Sequence, residues 1–116
     1  MIVASDGIRV NWRADILPAN GGEVNYGRLI RLDSSWVKVL VNRNLLPVRC
    51  YDLVLMQPKI QPADAETIIE GRTVAHVSVL SAMHFHARLA WQEVKGNGEA
   101  FLDDYIRKYR ETIGET

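Results

Sequence analysis

Cysteine is almost missing from this chain: Cys50 is the only one among 116 residues. No internal disulfide can form, which fits a reducing compartment. An excess of either charge is missing too, since 14 Lys and Arg balance 14 Asp and Glu. Zero net charge argues against a general nucleic-acid binder, whose domain is usually basic, but leaves room for a small anion held by a few local arginines. No apolar run approaches the roughly 18 residues that span a bilayer. No charged-then-apolar stretch at the start resembles a signal peptide, so a cytoplasmic location is expected. Glycine-rich phosphate loops, a nucleophile elbow and paired catalytic residues are also lacking, and the expectation is no enzyme, no cofactor and no metal. What remains is 47% hydrophobic, typical of a globular protein, and long enough to bury a core as a single domain over 1–116.

The clearest pattern is I-R-V-N-W-R-A-D-I at 8–16, with Ile8, Val10, Trp12, Ala14 and Ile16 alternating with Arg9, Asn11, Arg13 and Asp15. Strict alternation marks a strand with one buried face, here 8–17, ended by the turn residues Pro18-Ala19-Asn20-Gly21-Gly22. Further strands are expected at 23–32, 36–41, 51–57, 67–79 and 83–94. Asp33-Ser34-Ser35 breaks the second from the third, and Glu70-Gly71 interrupts the fifth with a bulge or bend. Leu45 to Val48 reads as an apolar bend under the barrel mouth, and 58–65 as a surface loop. Over 99–113 the period changes: Phe101, Leu102, Tyr105, Ile106, Tyr109 and Ile113 recur at helical spacing, with acidic residues early and basic ones late. Six short strands and one helix predict a mainly β fold, a closed antiparallel barrel with a C-terminal helix over one open edge or end.

Arg9 and Arg13 share the open face of the first strand and are the leading candidates for an anion site, because each guanidinium can grip a phosphate bidentately. The bland reading is a solvated face with Arg13 beside Asp15. Arg28, Arg31, Arg43 and Arg49 can form a basic rim with Arg9 and Arg13, but the favoured reading is ordinary surface charge balanced by acids. Tyr26, Trp36 and Tyr51 can be stacking platforms for bases, although aromatics on alternating positions are more often core. His76 and His86 face each other if the last hairpin turns near Ser81, but a zinc site would need further ligands. Cys50 reads as a small buried hydrophobe.

The segments R-V-N-W-R, W-V-K-V-L-V-N-R-N-L-L-P-V, I-E-G-R-T-V and H-F-H-A-R-L-A-W resemble the PilZ domain family over about 8–109. The resemblance implies a six-stranded antiparallel β-barrel with a C-terminal α-helix, and a regulatory role in bacterial cyclic di-GMP signalling. It also implies a two-part ligand motif. Arg9 and Arg13 match its first half, Arg-x-x-x-Arg. The second half, Asp/Asn-x-Ser-x-x-Gly, falls on Arg31, Asp33 and Trp36 when counted back from the Leu-Pro bend, and all three depart from it. A register two residues later puts Asp33 and Ser35 on the motif's Asp and Ser, with Lys38 for its Gly, at the cost of a two-residue deletion before Leu45. Asp33, Ser34 and Ser35 are thus the residues that can accept from guanine, whereas Arg31 offers donors only. Trp36 fills the room a glycine leaves. Each polar contact left unmade costs about 1–3 kcal/mol, so cyclic di-GMP binding is expected to be weak or absent. The resemblance also implies that ligand binding orders the arginine segment against the barrel. Trp12 and Trp36 are expected to flank the site and to report on it by fluorescence. The alternatives are an adaptor that works by protein contact without the nucleotide, and an oligonucleotide-binding barrel.

Overall fold

The computed structural model describes residues 7–19, 21–43, 45, 49–58, 67–81 and 84–112, of which 76–81 and 112 are described by their backbone alone. The residues before Gly7, the bend after Leu45, most of the 58–65 loop, Ala82 of the last turn, and Ile113 lie outside the described residues. Six strands run in the order β1 (Ile8–Pro18), β2 (Asn25–Leu32), β3 (Trp36–Val41), β4 (Cys50–Gln57), β5 (Thr67–Ser81) and β6 (His84–Val94), followed by α1 (Gly98–Thr112). They form a closed antiparallel barrel, β1-β2-β3-β6-β5-β4, in which β4 returns to pair with β1. Closure removes the sheet edges that an open six-stranded sheet would expose.

The alternation in the sequence becomes the barrel wall. Ile8, Trp12, Ala14 and Ile16 of β1 point inward with Val37, Val39 and Val41 of β3 and Tyr51, Leu53 and Leu55 of β4. Leu45, beyond β3, is buried as well. Inside the barrel, the Thr73 hydroxyl donates to the Tyr51 carbonyl at 2.9 Å, which satisfies a buried polar group.

β2 breaks the period-two rule. Its buried residues, Leu29 and Leu32, are three apart, because the pairing slips between Leu29 and Arg31 against β3 and again opposite the stretch from Arg9 to Trp12 of β1. Such bulges bend a strand and raise its twist, as a small barrel requires.

β5 runs unbroken through Glu70-Gly71, where an interruption was expected. Gly71 is buried and leaves space for the Trp91 ring; a Cβ built on it would lie 2.6 Å from Trp91 Cζ3. The expected irregularity is a register shift one step on, between Arg72 and Thr73.

The helix starts one residue before the expected range. Leu102 and Ile106, four apart, are buried in the barrel's core, with Phe101, Tyr105 and Tyr109 packed partly against it. Trp12 meets Tyr105 edge-on, ring centroids 5.1 Å apart, a favoured aromatic geometry. The outer side of α1 carries Asp104 with Lys108 and Arg107, which hold its carboxyl below the ordinary carboxylate range. Burial pushes the Tyr105 phenol up, with Tyr109 adding to the shift. Among the described residues, no helix is long and apolar enough to cross a membrane.

Candidate functional site

Strand pairing decides where the sequence-predicted residues meet. Ile8 opposes Leu32 and Trp12 opposes Leu29, all four buried, so the residues beside them point outward. Arg9 therefore stands directly opposite Arg31, and Arg13 opposite Arg28, on the barrel's outer surface. The next strands extend the first pair: Arg31 opposes Lys38, and Lys38 opposes Arg88. Arg9, Arg31, Lys38 and Arg88 thus form one row across β1, β2, β3 and β6. Neighbouring strands lie about 4.8 Å apart, so the row spans about 14 Å. A second row runs Arg13, Arg28, Leu40 and His86. The rows fan out: they are four residues apart on β1 (9 to 13), three on β2 (28 to 31) and two each on β3 (38 to 40) and β6 (86 to 88).

Like charges directly opposite each other on a sheet cost stability, of the order of 0.2–1 kcal/mol per pair. Several cations elsewhere among the described residues have carboxylates. Arg72 pairs with Asp52 at 3.4 Å, Lys95 with Glu70 at 4.0 Å, Arg43 with Glu23, and Arg107 and Lys108 with Asp104. On the two rows, Arg13 alone has an ion pair among the described residues, with Asp15 at 3.2 Å. Its guanidinium also lies 5.8 Å from the centroid of the exposed Tyr26 ring. Arg88 stacks on the Trp36 indole at 3.9 Å. The surface is therefore a concentrated positive field on a chain of zero net charge.

The Asp33-Ser34-Ser35 turn sits at one end of this field. The Asp33 N–H donates to the Trp36 carbonyl at 2.9 Å, closing the hairpin between β2 and β3. Asp33 Oδ1 accepts from the Ser34 N–H at 2.8 Å, so part of this carboxylate already serves the turn. The Trp91 N–H donates to the Ser35 carbonyl at 3.0 Å, which ties the turn to β6. Arg9 is at the turn's end of β1 and Arg13 is not. Arg13's partner Arg28 lies five residues from Asp33, roughly 15 Å along the strand. Arg9 and the turn come together; Arg13 groups with Arg28 and Tyr26.

The departures Arg31 and Trp36 face the same way as the arginines. Arg31 is a member of the first row. Trp36 and Lys38, two apart on β3, both project outward, since Val37 between them is buried. In either alignment of the second motif, a large side chain stands at the glycine position.

Several expectations change. Arg9 and Arg13 belong to β1 and are paired with Arg31 and Arg28 of β2 in the closed barrel. Trp12 is 4% exposed and points into the core, so Trp36 is the tryptophan of the two on this face. Tyr51 is buried and cannot stack on a base, whereas Tyr26 is 64% exposed. Arg28 and Arg31 are not scattered surface charge. The β5–β6 hairpin pairs Ser81 with His84, which sets Val79, not His76, opposite His86. Among the described residues, no group of three His, Cys, Asp or Glu comes together for a metal. Cys50 is half-buried, and its thiol lies 3.7 Å from Gln92 Oε1.

Arg88 and the row role of Lys38 went unseen in the sequence. The sign was there in β6, where His84, His86 and Arg88 alternate with Phe85 and Ala87. Placing Arg88 beside Lys38 required the non-local β3–β6 pairing. An open groove of about 460 Å³ lies between the start of β5 and the start of α1, lined by Thr67 to Glu70, Lys95 to Gly98 and Phe101. It contains none of the sequence-predicted site residues.

No family model matches this chain, and no curated protein matches it. Among solved structures, that of the Bacillus subtilis inhibitor of motility (MotI/DgrA) is similar, with a TM-score of 0.77 and 11% identity. The match covers 97% of this chain and 53% of that one, so this chain spans about half the length of the protein it matches. The likeness is one of fold: a six-stranded antiparallel barrel closed by a C-terminal helix.

Proposed function

We propose that this chain is a PilZ-like regulatory domain of bacterial cyclic di-GMP signalling, cytoplasmic and folding as one unit over 1–116, whose own nucleotide binding is weak or lost. The barrel-and-helix fold, its likeness to an inhibitor of motility, and the Arg-x-x-x-Arg pair on the outer face support the assignment. The observation that carries the weak-binding part is the outward projection of both Trp36 and Lys38. Whichever alignment holds, the backbone approach that a glycine permits is blocked. Arg31, between Arg9 and Lys38, adds donors where guanine N1 and N2 call for an acceptor. In the later alignment the acceptor is Asp33, with one oxygen already committed to its turn.

The second reading, an adaptor that acts by protein contact alone, is favoured by Trp36 lying under Arg88, where stacking on a base would compete with an existing cation–π contact. Both readings describe a binding module, not an enzyme.

Amide shifts in a ¹⁵N-labelled sample titrated with cyclic di-GMP test the assignment. The expected result is fast-exchange shifts at Arg9, Arg13, Arg31 and 33–36, with no saturation below about a millimolar. No shifts anywhere would favour the adaptor. Shifts centred on the groove beside Ile68 and Phe101, or slow exchange saturating at micromolar ligand, would overturn the assignment of the site.

A further inference from the structure

We propose that the outer face of β1, β2, β3 and β6 is a docking surface for an acidic segment of a partner protein, gripped by the row Arg9, Arg31, Lys38 and Arg88. The proposal rests on the protein-contact part of the reading above and not on nucleotide binding.

Charge selects the partner's sign. Among the described residues, none of these four cations has a carboxylate partner, while Arg72, Lys95, Arg107 and Lys108 do. Setting Arg9 against Arg31, and Lys38 against both Arg31 and Arg88, works against folding unless something anionic lies over them. A chain of zero net charge gains nothing in solubility from that concentration.

Shape and chemistry select the class. The row lies on the outside of a barrel, apart from the groove between the starts of β5 and α1, and small ligands are normally enclosed by a concavity. A convex basic strip fits an extended partner. Single-stranded nucleic acid needs free aromatic faces, but Trp36 is covered by Arg88 and Tyr26 has Arg13 beside it. Guanidinium forks match carboxylates bidentately. Their spacing of about 4.8 Å across strands is close to the roughly 5–6 Å between residues three or four apart on a helix. Stacking on Trp36 also fixes the Arg88 head in place, so less freedom is lost on binding.

The probe is an alanine-based helical peptide of about 20 residues, long enough to hold a helix in water, with Glu at every fourth position. Its Gln counterpart is the control, and both are titrated without nucleotide. The Glu peptide is expected to bind and the Gln peptide not, with affinity falling as salt rises. Arg31→Glu and Arg88→Glu are each expected to weaken binding about tenfold, while Arg72→Glu, whose cation is paired with Asp52 elsewhere on the barrel, stays within about twofold. Arg31→Glu is also expected to melt no lower than the parent, because it replaces two like-charge contacts, so lost binding cannot be misread as lost folding. Equal losses in Arg31→Glu and Arg72→Glu, tighter binding of an oligothymidylate than of the Glu peptide, or no binding of the Glu peptide would each overturn the proposal. The nucleotide titration is separate, so either result can fail while the other stands.

Discussion

Trp12→Ala is expected to destabilise the protein by about 3–5 kcal/mol, the range for truncating a buried large aromatic. Trp12 is 4% exposed and lies where β1 meets the helix, edge-on to Tyr105 at 5.1 Å. Its removal leaves a cavity in the core and takes from α1 its aromatic contact with the barrel. A loss of that size is a fifth or more of the stability of a typical domain, about 5–15 kcal/mol. Urea unfolding followed by circular dichroism measures it. Trp36→Ala is the internal comparison: Trp36 is outside the core and only partly buried, and its stacked Arg88 contributes about 0.5–1 kcal/mol at such a site. If the two substitutions cost the same, the assignment of one tryptophan to the core and the other to the basic face is wrong.

Gly71→Val follows in size. Gly71 sits inside β5, paired with Leu53 and Val94. A Cβ there would meet the Glu93 carbonyl and stand 2.6 Å from the Trp91 ring. One neighbour is backbone of the adjacent strand and cannot swing away, so the strands must part or the indole must leave its place. Overpacking of this kind costs typically about 1–3 kcal/mol and occasionally more, and valine is expected at or above the upper end. Gly71→Ala should fall below it. Adding Trp91→Leu should recover part of the alanine loss, giving a coupling energy of about 0.5 kcal/mol or more between two touching residues. Strict additivity would mean that the ring is not what the glycine makes room for.

The parts of this fold legible in the sequence were those with local causes. The alternation of β1 and β3 and the helical spacing of Leu102 and Ile106 come from which residues sit near each other along the chain. The bulged Leu29–Leu32 spacing in β2 and the unbroken β5 through Gly71 come from barrel curvature and from a ring on another strand. Neither can be seen from a window of neighbours. The candidate site divides in the same way. Arg9 and Arg13 stand out because they share one strand face. That Arg31 and Arg28 stand directly opposite them becomes visible only through the β1–β2 register, and Lys38 beside Arg88 only through a pairing that skips two strands in chain order. Trp12 and Trp36 look alike as tryptophans near arginines. One sits on the apolar parity of its strand and the other on the outward parity.

Isothermal titration of the unmodified protein with cyclic di-GMP bears most directly on the central claim, that Arg9 and Arg13 share the outer face but Arg31 and the outward side chains of Trp36 and Lys38 occupy what the nucleotide needs. Two or three unmade contacts at about 1–3 kcal/mol each move a micromolar site towards millimolar. The expected result is a dissociation constant weaker than about ten micromolar, or no measurable heat. A dissociation constant below that value would contradict the claim, and would mean that these three residues leave the nucleotide site open.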